Sequence, residues 1–254
     1  MGSNLRKLWP PAAVMLALVL LWQAVVVLFH IDEYILPSPL VIFMNACKEA
    51  PQLLDHTRST LGVTLLGFAA GAAAGFVLAA LLHLIPGAKT ALYPLLVLTQ
   101  NVPTLALAPL LVIWFGFGIL PRVILIIIVC FFPIAVAMLT GLTQSDPKLV
   151  TYMQMIGASK RQQFWRLELP HAMPYLFSGL KIAASYSVIS AIYAETVGAS
   201  KGLGYYMRLA QKGYETANVF AAIAIIVLLS LVFFGIISLA ERILLRGRTT
   251  SKGE

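Results

Sequence analysis

Charge is the scarcest thing in this sequence. Asp, Glu, Lys and Arg make up 11% of its 254 residues, against 60% hydrophobic residues. A soluble domain carries about 25% charge and 45–50% apolar residues, so too little charge is present to coat a water-facing surface. With a mean hydropathy of +0.89, the composition is that of an integral membrane protein. Disorder is excluded for the opposite reason, since so apolar a chain buries surface readily. Acids are rarer than bases, 10 against 18, for a net charge of +8. The bases are scattered along interhelical segments and form no stripe for nucleic acid. Two cysteines, Cys47 and Cys130, cannot build a disulfide framework. His30, His56, His83 and His171 lack metal-ligand spacing, so no metal site is predicted.

Catalytic motifs are also lacking. Gly198-Ala199-Ser200-Lys201-Gly202 matches the G-x-S-x-G pattern, but that chemistry needs a strand–turn–helix elbow and a later histidine. No histidine follows His171. Gly87-Ala88-Lys89-Thr90 lacks the glycine that a phosphate loop places directly before its lysine. No catalytic residue and no cofactor of the chain's own is expected.

What the sequence has in abundance is long apolar runs. Six stretches, about 12–29, 60–84, 91–114, 120–142, 174–197 and 218–240, reach the roughly 20 residues that a bilayer requires. In lipid only helices satisfy the backbone within one segment, so the prediction is an all-α, polytopic membrane protein with about six spans. No small-x-small cleavage site follows the first span, which reads as a retained helix. Counted by alternate loops, eleven Lys and Arg fall on one side and six on the other. The positive-inside rule places both termini in the cytoplasm. Residues 38–58 read as an outer interfacial helix or a plain connecting loop. Residues 143–173 form a connection longer than ordinary helix–helix links, which predicts a built element there.

Three features within the spans stand out. Gly67, Gly71 and Gly75 share one helix face, and small faces let helices approach closely in lipid. Gly179, Ala183, Ser187 and Ala191 repeat the device, and Glu195 continues that row to a membrane boundary. There a carboxylate is either a hydrated helix end or part of a gate. The third span is polar at its centre, Thr99-Gln100-Asn101-Val102-Pro103-Thr104. Broken polar helices are tolerated where they line a cavity. Thr99, Gln100, Asn101 and Thr104 are thus candidate walls of a translocation path, with Ser187 and Glu195 on the fifth span. Interhelical hydrogen bonding is the alternative.

In the long connection, Gly157-Ala158-Ser159 breaks the chain into two short helical pieces. Phe164, Trp165, Leu167 and Leu169 stand beside Lys160, Arg161 and Arg166, the make-up of an amphipathic helix that docks in a partner's groove. Thr151-Tyr152-Met153, three residues, Gly157, nine residues, then Leu167-Glu168-Leu169-Pro170 resembles the cytoplasmic signature of ATP-binding-cassette (ABC) importer permeases. The family pattern is E-A-A, three residues, G, nine residues, I-x-L-P. The chain departs from it at the opening triplet and in having Leu167 for Ile. Leu36-Pro37-Ser38-Pro39, Ala106-Leu107-Ala108-Pro109-Leu110, Trp114-Phe115-Gly116-Phe117-Gly118, Phe131-Phe132-Pro133 and Gly202-Leu203-Gly204-Tyr205 are similar to the nitrate/sulfonate/taurine-type branch. Gln100-Asn101-Val102-Pro103 and Ser200-Lys201-Gly202-Leu203-Gly204-Tyr205-Tyr206-Met207 look most like permeases for thiamine-precursor aminopyrimidines.

The resemblance implies a type I importer fold and one transmembrane permease domain over residues 1–254 in the cell membrane. It implies a coupling segment at about 145–172, with Gly157, Ala158, Ser159, Arg166, Leu167, Leu169 and Pro170 touching a separate ATPase subunit. ATP and Mg would reside on that subunit, an extracytoplasmic binding protein would deliver the solute, and the permease would be a homodimer. Sulfonate, taurine, nitrate or riboflavin-like solutes are the alternatives. A stand-alone secondary transporter would want intramembrane acids or histidines for ion coupling, and only Glu195 comes near.

Overall fold

Lipid offers backbone groups no water, so a chain this apolar has to close its hydrogen bonds within each segment. In the computed structural model the segments are helical throughout, in the order α1 (Gly2–Leu28), α2 (Pro39–Lys48), α3 (Ala50–Leu84), α4 (Ala88–Thr99), α5 (Thr104–Phe115) and α6 (Ile119–Thr143), followed by α7 (Pro147–Met155), α8 (Lys160–Gln163), α9 (Leu169–Gly198), α10 (Leu203–Lys212) and α11 (Thr216–Leu244). The structure describes residues 2–99 and 101–246, with backbone alone at 2–8, 99, 104 and 105. Among the described residues, five helices are long and apolar enough to cross a bilayer: Trp9–Leu28, Ala50–Leu84, Ile119–Thr143, Lys160–Gly198 and Thr216–Leu244.

The third predicted span is split. Its two halves, α4 and α5, have 12 residues each, about 18 Å of helix and too short to cross alone. Pro103 causes the break, since it lacks an N–H and drives Val102 out of helical geometry. Asn101 repairs part of the damage: its backbone N–H donates to Leu98 O and its Nδ2 to Val97 O, both at 3.1 Å.

Residues 38–58 divide between two elements. Ser38 caps α2, its Oγ accepting from Val41 N with Pro39 in the first turn, where a missing N–H costs little. The second span then begins at Ala50 and not near residue 60. The fifth likewise begins at Leu169, because Pro170 also falls in a first turn.

The core is a three-helix layer with α6 in the middle. Gly67, Gly71 and Gly75 of α3 lie against Ile126, Cys130 and Phe131–Ile134 of α6 so closely that an added Cβ would come within 2.6–2.9 Å of them. On the other side Gly179 of α9 meets Pro133, Ile134 and Ala137. The partners rise together along α3 and α6, which run parallel, while α9 runs back between them and α11. Val63, Ile126, Cys130, Ile134, Ala183 and Val188 fill the centre, and Phe68 meets Phe233 of α11 edge-on at 4.8 Å. Lys181 and Glu241 pair at 2.9 Å between α9 and α11. One end of the bundle carries the connection from α6 to α9; α2 and α10 cover the far end.

Candidate functional site

Three places in this frame hold the predicted residues. The first is the connection itself. Asp146 caps α7 by accepting from Lys148 N at 2.8 Å. After Met155 the helix closes in a Schellman turn, with Gly157 N bonded to Gln154 O and Ala158 N to Met153 O. Gly157 sits at φ +75, the left-handed region that glycine enters without a Cβ penalty. Ser159 then opens α8 through a reciprocal capping box with Gln162. The two-piece helix read from Gly157-Ala158-Ser159 is thus present, with a cap on each side of the turn.

The apolar side chains of the connection divide differently from expectation. Phe164 is buried and packs with Leu139, Leu142 and Ala172, and Leu169 lies against the same cluster. They anchor the connection to its own bundle. Leu167 and Pro170 are half-buried, while Gly157, Ser159 and Arg166 are exposed. The outward apolar face is supplied by α7 and the residue after it, where Leu149, Tyr152, Met155 and Ile156 are 49%, 60%, 80% and 61% exposed, and Trp165 further along the connection is 57% exposed. Their spacing by three and four residues marks one helix face, a signal available in the sequence.

The second place is a cavity of about 440 Å³ beside the break in the third span, within the usual range for small-molecule sites. Val102 at the break and Leu107 of α5 form one wall, and Ile128, Val129 and Phe132 of α6 another. The third wall belongs to α9, through Tyr186, Ile189, Ser190 and Tyr193. None of the described lining residues carries a formal charge; tyrosine and serine hydroxyls supply the polar side-chain groups. Asn101 is exposed next to this wall. Gln100 lies outside the described residues, and of Thr99 and Thr104 only the backbone is described.

Two path candidates face elsewhere. Ser187 is fully buried and its Oγ donates to Ala184 O at 2.7 Å. It belongs to the small face, and that face is spent on packing against α6. The cavity wall is the neighbouring face of α9, one to six residues away around the helix. Glu195 is neither a hydrated helix end nor a lining residue of the cavity: it is 0% exposed.

Glu195 belongs to the third place, at the far end. Its Oε2 accepts from Thr60 Oγ1 and from Gly204 N, each at 2.9 Å. Thr60 Oγ1 in turn accepts from Leu203 N at 2.8 Å, and His56 Nδ1 accepts from Gly202 N at 3.1 Å. The first amides of α10 are therefore satisfied by side chains of α3 and α9. Burial pushes the Tyr206 hydroxyl of α10 up to about 12, and the Glu49 and Glu215 carboxylates add to the shift. The long-range pairings Thr60–Glu195 and His83–Glu168 had no signature in the sequence.

Residues 67–246 match the family model described as "Binding-protein-dependent transport system inner membrane component". The chain belongs to this family. It is an ABC-importer permease of the nitrate/sulfonate/taurine-type branch, a multi-pass membrane transport component and not an enzyme. It is 35% identical to the formylaminopyrimidine transport permease protein ThiX of Halalkalibacterium halodurans over 94% of this chain and 95% of that one. It is 31% identical to the riboflavin transport system permease protein RibX of Chloroflexus aurantiacus, over 94% and 91%. The taurine transport system permease protein TauC of Escherichia coli is 30% identical, over 93% and 87%. In fold it is similar to an inward-facing MetNI methionine ABC transporter, at 20% identity and a TM-score of 0.67 over 77% of this chain and 97% of that one.

Proposed function

We propose that the whole chain acts as one permease domain that docks an ATPase subunit through α7, α8 and the turn at Gly157. The observation that carries this reading is the apolar face of α7, with Met155 80% exposed. It stands beside Lys160, Arg161 and Arg166 on a connection whose own anchors, Phe164 and Leu169, already point inward. An exposed apolar helix face with basic flanks suits a groove on a soluble partner. On this reading the connection and both termini lie in the cytoplasm, and the loop charges support it. The far end, with α2 and α10, then receives a solute-loaded binding protein.

A cassette ATPase works as a pair, and a two-fold permease homodimer supplies two identical docking faces. The solute path runs through the cavity beside residues 101–103 and faces the second copy. Its walls of tyrosine, serine and apolar side chains suit a neutral or cationic heteroaromatic solute, because none of the described lining residues supplies the cation that an anion would want. Formylaminopyrimidine-type thiamine precursors fit best, in line with the relative at 35% identity; riboflavin-like solutes are the second reading.

The test is copurification of the tagged chain from membranes, with mass measurement of the complex. Two permease chains with an ATPase pair are expected; a permease that purifies without an ATPase overturns the docking reading. Calorimetry on the partner binding protein then compares formylaminopyrimidine, riboflavin and taurine. Tighter binding of taurine overturns the solute assignment.

A further inference from the structure

We propose that Glu168 and His83 form the tether that ties the docking segment to α3, so that α3 follows the segment when the ATPase moves it. This rests on the docking reading above. Glu168 sits in the π-helical turn Phe164–Glu168, a rare wide turn that is frequent at functional sites. The turn leaves Trp165 and Arg166 exposed and buries Phe164 and Glu168. Both carboxylate oxygens of Glu168 are engaged. Oε2 lies 2.7 Å from His83 Nε2 at the end of α3, and Oε1 accepts from Gln163 Nε2 of α8, also at 2.7 Å. A carboxylate only accepts, so the imidazole N–H is the donor. Phe164 lies against the same imidazole, with ring centroids 6.3 Å apart.

Apolar contact also joins the two parts, since Phe164 shares a cluster with Ala79 and Leu82 of α3. Beyond that cluster a cleft of about 380 Å³ separates Gln154, Ala158 and Lys160 on the docking side from Leu84 at the end of α3 and Pro86 after it, and Glu168 and His83 bridge it. Displacement of α7 and α8 would therefore reach α3 through a part-buried hydrogen bond between imidazole and carboxylate, a directional contact stronger than one between neutral groups. From α3 the glycine ladder against α6 carries the movement to the cavity wall. Glu168 and His83 act as positioning residues and touch no solute.

The test is hydrogen exchange on the assembled complex, with and without its ATPase, in the parent chain and in His83→Ala, Glu168→Ala and the double variant. ATPase binding should protect both the docking segment and residues 78–84 of the parent. Each single variant should keep protection of the docking segment and lose at least tenfold of it at 78–84, the double variant should lose no more, and His83→Gln should restore it. No protection of the docking segment in the parent would refute ATPase docking there. Protection of that segment with 78–84 unaffected, with 78–84 equally protected in the variants, or with additive losses, would overturn the tether alone. A single variant that sheds the ATPase would also overturn it, since the pair would then shape the docking face itself.

Discussion

Thr60 and Glu195 are 135 residues apart in sequence, yet the hydroxyl donates to the carboxylate at 2.9 Å inside the protein. The same hydroxyl accepts from Leu203 N at 2.8 Å, so one threonine joins α3, α9 and α10. Replacing it by valine keeps the shape and strands a buried amide, which costs about 1–3 kcal/mol. Thr60→Val should lower the melting midpoint of the detergent-solubilised protein by about 2–4 °C per kcal/mol lost, while Thr60→Ser leaves it in place. Equal midpoints for the two variants would show that the hydroxyl bonds do not hold α10.

Helical glycines in this chain fall into two physical classes. A Cβ at Gly75 would lie 2.6 Å from Phe131 O, whereas one at Gly235 would meet nothing within 4 Å. Overpacking costs about 1–3 kcal/mol, and relief of glycine's helix penalty returns about 0.8–1.0 kcal/mol. Gly75→Ala should therefore lower the unfolding midpoint and Gly235→Ala should hold or raise it. A thermal scan of both variants checks the sign at each position.

At Gly157 the space around the residue is open, so the cost of substitution lies in the backbone. A φ of +75 costs a residue with a Cβ about 1–2 kcal/mol. Gly157→Asp adds a charge beside the exposed face of α7 but leaves every apolar span intact, and insertion depends on those spans. The variant should reach the membrane at parental abundance and retain several-fold less ATPase on copurification. Parental ATPase retention would remove Gly157 from the docking turn.

Hydropathy made the spans legible, because run length sets whether an unbroken helix can cross a bilayer, but it did not register the break that Pro103 makes in the third. The Gly157 turn was legible too, since a Schellman turn followed by a capping box is written in consecutive residues. The glycine ladders were recognisable as packing faces, and α6 duly receives both. That same logic assigns Ser187 away from the cavity: a small residue on a packing face is covered by its neighbour helix. The packing of Glu195 and Glu168 was not legible for another reason. Their partners, Thr60 and His83, stand 135 and 85 residues away, and hydropathy carries no information about such pairings. Phe164 and Trp165 are adjacent and equally apolar, so which one faces inward depended on the π-turn that no local pattern announced.

At the cavity two adjacent residues of α9 differ sharply. Tyr186 lines it and is 50% exposed, while Ser187 is fully buried with its hydroxyl bonded to Ala184 O. Successive helix positions are about 100° apart, so one residue faces the path and the next faces α6. Cysteines placed at Asn101, Tyr186 and Tyr193 in the assembled importer should react with a water-soluble thiol reagent. A cysteine at Ser187 should resist it, and so should Cys130, which is buried against Ala183. The reaction at Tyr186 and Tyr193 should slow at least tenfold when a transported solute fills the path. Labelling at Ser187 with Tyr186 protected would place the small face of α9 on the solute route after all. Resistance at Asn101, Tyr186 and Tyr193 alike, with outer-loop controls labelled, would mean that this cavity is filled by lipid or by the second copy and carries no solute.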